Sequence, residues 1–193
     1  YPMYINSAYW NNSRIDFKDK TRPLFVGSCG TYRLLTRPVL PTHRPRGRLD
    51  FQLLYIAAGK AHFFFQGEER IVPAGSVVIY RPKEEQKYRY YGPDQTEVFW
   101  VHFTGNNVRN ILREYGISEA DQVIQTGTNL EFKRIFCQMI RELQLQKENY
   151  EQMLVLLLRR LFILIQRQSA GSPKVRSSFL ETEMNQALSY FQD

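Results

Sequence analysis

The chain has little of what builds a metal centre or a disulfide framework. Its 193 residues include two cysteines, Cys29 and Cys137, and three histidines, His43, His62 and His102. The cysteines lie far apart without ligand-like spacing, so two ordinary thiols in a reducing compartment are expected. No two histidines are spaced i,i+2 or i,i+4, and neither a metal nor another cofactor is expected. Long apolar runs are missing too. The greasiest stretch, Met153 to Ile165, is 13 residues and is split by Arg159 and Arg160, short of the ~20 that span a bilayer. Tyr1-Pro2-Met3-Tyr4 has no basic segment leading into an apolar one, so a soluble, cytoplasmic protein is expected. Catalytic motifs are also absent. There is no Gly-x-Ser-x-Gly elbow, and Gly27-Ser28-Cys29-Gly30 lacks the Lys-Ser/Thr tail of a phosphate loop. The residues predict no enzyme.

What is present is aromatic and basic. Hydrophobic residues make up 43% and aromatics 14%, with 12 Tyr and 13 Phe, a composition that packs a core and favours β-structure. The formal charge is +7. Residues 1–50 hold much of that excess, which suits either an anionic partner or a solvated basic surface. Strands are predicted at 51–56, 61–66, 76–80, 86–91 and 97–104, each bounded by Gly or Pro, with a turn over Gln66-Gly67-Glu68-Glu69. Short strands at this spacing indicate an antiparallel sandwich or barrel.

After residue 105 the period changes. Asn106 or Asn107 can cap a short helix ended by Gly116. Thr128 with Glu131 reads as a capping box opening a helix with Phe132, Ile135, Phe136, Met139, Ile140 and Leu143 on one face. A third helix, about 148–168, is apolar nearly all round. Such a helix must be covered on more than one side. Residues 169–177 have the composition of a linker, and another helix is expected after Ser178.

Leu53-Leu54-Tyr55-Ile56-Ala57-Ala58-Gly59, then Val72-Pro73-Ala74-Gly75 opening a strand that closes before Pro82, resembles the cupin-type sensor domain of AraC-family (arabinose-regulator-like) transcription regulators. Phe99-Trp100-Val101-His102-Phe103 looks like that family's closing strand. The leucine run followed by Arg159-Arg160 resembles its dimerisation helix. The likeness extends over about residues 20–168. It implies a mainly β fold with C-terminal helices: a cupin-like antiparallel jelly-roll barrel with an N-terminal arm over 1–104, and a helical dimerisation module over 105–168. A linker would follow at 169–177, and residues 178–193 would open a helix-turn-helix DNA-binding domain that is otherwise missing. The implied partners are a small-molecule effector, of the sugar class in the arabinose-binding members, and a second copy of the chain. DNA would be reached only through the missing domain.

The resemblance also nominates residues. Arg37 falls where arabinose-binding members place a sugar-contacting arginine. Tyr88 matches a pocket tyrosine, and Trp100 a tryptophan on which a sugar ring stacks. Val98 departs from the family's histidine two residues before that tryptophan, which points away from arabinose itself. Metal-binding cupins carry ligands at positions that fall here near Pro45, Gly47 and Gln52, none of which can serve. The implied dimer stripe is Leu154, Leu157, Leu158, Leu161 and Ile165, with an internal helix packed on the barrel as its alternative. On strand 97–104 both sides are apolar, so alternation leaves open whether Val98, Trp100 and His102 face inward. The basic stretch Arg14, Lys18, Lys20 and Arg22 is either an arm over the pocket or a segment without fixed order. Two rival functions stay open: a metal-free enzyme on the same barrel, and a dimerisation module whose barrel is filled by Phe63, Phe64 and Phe65 with Tyr55 and Trp100.

Overall fold

The computed structural model describes residues 1–11 and 15–169. Ten strands precede or interrupt three helices: β1 Met3–Tyr9, β2 Phe25–Leu34, β3 Val39–Arg44, β4 Phe51–Ala58, β5 Lys60–Phe65, β6 Glu68–Pro73, β7 Ser76–Tyr80, β8 Gln86–Tyr91, β9 Glu97–Thr104, α1 Val108–Glu114, β10 Val123–Gln125, α2 Leu130–Leu145 and α3 Tyr150–Ser169. They form a six-stranded sheet, β1-β2-β9-β4-β7-β10, and a four-stranded sheet, β3-β8-β5-β6. The ladders are antiparallel throughout. The expected turn after β5 is tighter than its sequence suggested. Gln66 and Gly67 both take positive φ, the geometry of a two-residue hairpin turn that matches strand twist. Glu68 and Glu69 therefore belong to β6.

The larger sheet is apolar on both faces because both are covered. One face meets the smaller sheet through Leu54, Ile56, Val78, Tyr80, Val98 and Trp100, packed with Phe63, Tyr88 and Tyr90. The other, with Leu53, Tyr55, Val77, Ile79, Phe99, Val101 and Phe103, shares a second core with the helices. Phe132 stacks on Tyr55 at 4.4 Å, Phe136 lies 5.4 Å from Phe99, and Phe162 meets Phe103 edge-on at 5.6 Å. This settles strand 97–104: Val98 and Trp100 face the barrel interior, while Phe99, Val101 and Phe103 face the helices.

Three expectations need correction. The cap of α2 is Asn129, whose side chain accepts from the Glu131 N–H at 2.9 Å, and not Thr128. The stripe Leu154, Leu157, Leu158, Leu161 and Ile165 is covered within the chain, with no member more than 8% exposed. Each such leucine contributes roughly 1.5–3 kcal/mol by burial against α2 and the sheet, so it cannot also face a second subunit. The apolar residues left in solvent on α3 are Met153, Leu156 and Ile163, at 44%, 63% and 38% exposure. The described part of the basic stretch, finally, does not enter the barrel interior: it passes the β3–β4 loop, where Asp16 accepts from the Leu49 N–H. Arg22 lies over the Phe25 ring at 3.6 Å and bonds Asp19 and Glu151 at the α3 side; Arg14 lies outside the described residues. So do residues 170–193, with nearly all of the expected linker and the final helix.

Candidate functional site

Between the two sheets the apolar packing stops short of one end and leaves a cavity of about 300 Å³. Period-two alternation aims the wall side chains into it: Leu40, Thr42 and Arg44 from β3, Gln52 and Leu54 from β4, Tyr88 and Tyr90 from β8, Trp100 and His102 from β9. Tyr32 of β2 and Arg48 of the β3–β4 loop complete the barrel's share, and β1 contributes Met3, Ile5 and Tyr9. An N-terminal segment therefore does border the cavity, but it is this strand, paired to β2 along its whole length, and not the basic stretch behind it.

Of the three side chains the resemblance nominated, Tyr88 and Trp100 stand in this wall. Arg37 does not. Its Nε donates to the Val39 carbonyl at 3.1 Å and its backbone N–H to the Pro2 carbonyl at 2.9 Å, so it fastens the N-terminal strand and its guanidinium bonds its own loop. The arginines that reach the cavity are Arg44 and Arg48, which the sequence reading did not single out. Tyr55, expected as barrel filling, stacks on α2 instead. Phe63 and Phe65 fill the β5 end of the interior, while Phe64 points outward beneath Lys87 and Arg89.

The wall combines aromatic faces with polar groups in excess of their partners. Trp100 is flanked by Tyr32 at 6.1 Å, Tyr9 at 6.2 Å and His102 at 4.8 Å. Arg48 makes a two-pronged pair with Asp50, at 2.7 and 3.0 Å. Arg44 Nη1 donates to Gln86 Oε1 at 2.9 Å and to the Tyr88 hydroxyl at 3.4 Å, and Gln52 Nε2 donates to that hydroxyl at 3.2 Å. Four atoms on the lining side chains have no hydrogen-bond partner among the described residues: Gln52 Oε1, Tyr90 Oη, Trp100 Nε1 and His102 Nε2. Buried polar atoms are almost always paired, and leaving each unpaired costs about 1–3 kcal/mol. Four such atoms stand on the side chains that line this one hollow.

His102 is held neutral. Burial, with the nearby charges of Arg48 and Arg44, keeps its imidazole well below the ordinary histidine range, and its Nδ1 lies 2.7 Å from Ser28 Oγ. The folded state thus resists a proton that the unfolded chain accepts. Stability should fall as pH drops through about 6.5, by up to about 1.4 kcal/mol per pH unit. Urea midpoints at pH 7.5 and 5.5 test this, and His102→Gln should flatten the difference; an unchanged slope in that variant would contradict the assignment. Asp19 acts in a separate window. Burial would raise its carboxyl, but bonds from Thr21 and Arg22 outweigh that and hold it at about 2. Its contribution is present above about 4 and is lost as pH falls towards 2.

Among the described residues no cluster of three His, Cys, Asp or Glu side chains is placed to hold a metal ion. No described helix is long and apolar enough to cross a membrane.

Comparison with known proteins places this architecture. No curated protein matches the chain significantly. Among solved structures, apo ToxT K231A from Vibrio cholerae is 11% identical with a TM-score of 0.46, covering 88% of this chain and 57% of its own. The Cupin_2 domain of an XRE-family transcriptional regulator from Enterobacter cloacae is 12% identical with a TM-score of 0.36, covering 54% of this chain and 97% of its own. A predicted oxalate decarboxylase from Thermotoga maritima is 16% identical with a TM-score of 0.33, covering 41% and 66%. The AraC-like ligand binding domain family matches residues 28–179, which include eight of the ten strands, most of β2 and all three helices. The chain belongs to the AraC-like ligand binding domain family.

Proposed function

We propose that this domain is the sensing part of a transcription regulator and that its effector, a small polyhydroxylated molecule of the carbohydrate class, binds inside the barrel. The observation that carries this reading is the hollow itself, a space of about 300 Å³ beside four unpaired polar atoms and the Trp100 ring. An indole face against the apolar side of a sugar ring adds dispersion contact. Tyr88, its hydroxyl already accepting from Arg44 and Gln52, retains its own proton to donate.

Control of DNA binding requires two arrangements with different effector affinity. In this reading the second copy docks on the solvent-facing side of α3, through Met153, Leu156 and Ile163, in place of the buried leucine stripe. DNA recognition belongs to a part of the regulator outside the barrel.

A thermal-shift screen of the 193-residue chain against sugars, sugar acids and sugar phosphates tests the sensor reading. A ligand at 100 times its Kd stabilises the folded state by about 2.7 kcal/mol. The expected result is a hit that Trp100→Ala abolishes. A folded protein that no member of the panel shifts would contradict it.

A further inference from the structure

We infer that the effector is a sugar acid, a monosaccharide-sized polyol bearing a carboxylate, and that Arg44 holds that carboxylate. This rests on the barrel being the ligand site. The cavity wall has two guanidinium groups, and the two carboxylates near them, Asp50 and Asp16, both lie on the Arg48 side. Asp50 gives both of its oxygens to Arg48, in a pair with side chains only 10% and 5% exposed. Arg44 has no carboxylate within 4 Å among the described residues. Its two contacts are the neutral Gln86 amide and Tyr88 hydroxyl, both made through Nη1. The remaining edge of the fork, Nε with Nη2, carries no hydrogen bond to a described residue. That edge is the geometry that accepts a carboxylate through two parallel bonds. A half-buried guanidinium with only neutral partners leaves its charge uncompensated, and a ligand anion removes that deficit.

The rest of the wall narrows the ligand further. An aromatic or fatty carboxylate would satisfy Arg44 and leave Trp100 Nε1, Gln52 Oε1, Tyr90 Oη and His102 Nε2 unpaired. That set needs both donors and acceptors, and each ligand hydroxyl supplies one of each. A phosphate would bring a second negative charge, yet the wall holds one uncompensated cation. The volume is at the small end of ligand pockets, roughly 300–1,000 Å³, which suits a single sugar unit.

Isothermal titration of the 193-residue chain with galacturonate, glucuronate and gluconate, against galactose, glucose, benzoate and glucose 6-phosphate, tests the assignment. At least one sugar acid should bind about 10- to 100-fold more tightly than its neutral counterpart, the worth of a charge-assisted bond. Arg44→Gln should bring acid and neutral sugar to equal affinity. Arg44→Lys, which keeps the charge and loses the fork, should retain part of the preference. A neutral sugar that binds as tightly as its acid, or a preference that survives Arg44→Gln in a folded variant, overturns the proposal and leaves the sensor reading intact. Tighter binding of benzoate or glucose 6-phosphate than of every sugar acid overturns it in the same way. No binding by any compound, with tryptophan fluorescence unchanged, overturns the sensor reading as well.

Discussion

Leu161→Asp should abolish the folded state and not yield a soluble monomer. Leu161 is wholly buried in the core that α2 and α3 share with the larger sheet. Truncating a buried leucine costs about 2–5 kcal/mol through lost transfer energy and the cavity left behind. An unpaired carboxylate in its place adds several kcal/mol more, or forces a protonated acid into an apolar setting. Together these approach the ~5–15 kcal/mol that separates folded from unfolded domains. Leu156→Asp makes the contrast. Leu156 is 63% exposed on the same helix, so the change should move stability by no more than about 0.5 kcal/mol. If α3 carries the subunit contact, it should nonetheless dissociate the dimer. Far-UV circular dichroism in urea, with sedimentation velocity, separates the two effects. A folded, monomeric Leu161→Asp protein would mean that the leucine stripe faces a partner and that the helix packing described above is wrong.

The fate of that stripe shows where periodicity stops being informative. Spacing of three and four placed Leu154, Leu157, Leu158, Leu161 and Ile165 on one side of a helix, and they do lie on one side. Met153, Leu156 and Ile163 form another apolar strip on the same helix. Which strip is buried depends on where the sheet lies, and no local pattern encodes that. The strands behaved similarly. Those bounded by Gly or Pro and rich in apolar residues, β4, β5, β7, β8 and β9, could be read directly. β2 was missed because its middle, Gly27-Ser28-Cys29-Gly30-Thr31, is small and polar and is held by β1 and β9 on its two sides. β6 was missed because its charged, exposed face looks like a turn.

The site was half legible for the same reason. Tyr88 and Trp100 lie on readable strands, and likeness to a family was enough to bring them forward. Arg44 lies on β3, a strand hidden by Pro38, Pro41 and Pro45. β3 pairs only with β8, so it is an edge strand, where proline is tolerated. Once β3 is seen, Leu40, Thr42 and Arg44 alternate inward and the arginine needs no further signal. Arg37, two residues before β3, was the nearer match by resemblance. The chain uses its backbone to tie down Pro2 instead. His102 could not be placed because strand 97–104 is apolar on both sides. Only the helices covering Phe99, Val101 and Phe103 show that Trp100 and His102 turn inward.

Gly30→Val should remove effector binding while leaving most of the fold in place. Gly30 lies in β2 opposite Ser7 of β1 on one side and Trp100 of β9 on the other. Its backbone is not in a glycine-only conformation, so space decides the outcome. A Cβ there would lie 2.7 Å from Trp100 Cζ2, 2.8 Å from the Asn6 carbonyl oxygen and 2.9 Å from Ser7 Cβ. The missing side chain is what lets the indole lie across β2 towards Tyr32 and Tyr9. With valine, either the indole swings into the hollow or β1 lifts from β2 and takes Met3, Ile5 and Tyr9 out of the wall. Overpacking of this kind costs about 1–3 kcal/mol, and displacing a buried tryptophan contact weakens binding by roughly 30-fold or more. Gly30→Ala should fall between valine and the parent chain. Titration with the best ligand of the parent protein, together with tryptophan emission, reads both consequences. Parent-like affinity and an unmoved emission maximum in Gly30→Val would show that the wall tolerates a side chain there, and that neither β1 nor the position of Trp100 shapes the cavity as described.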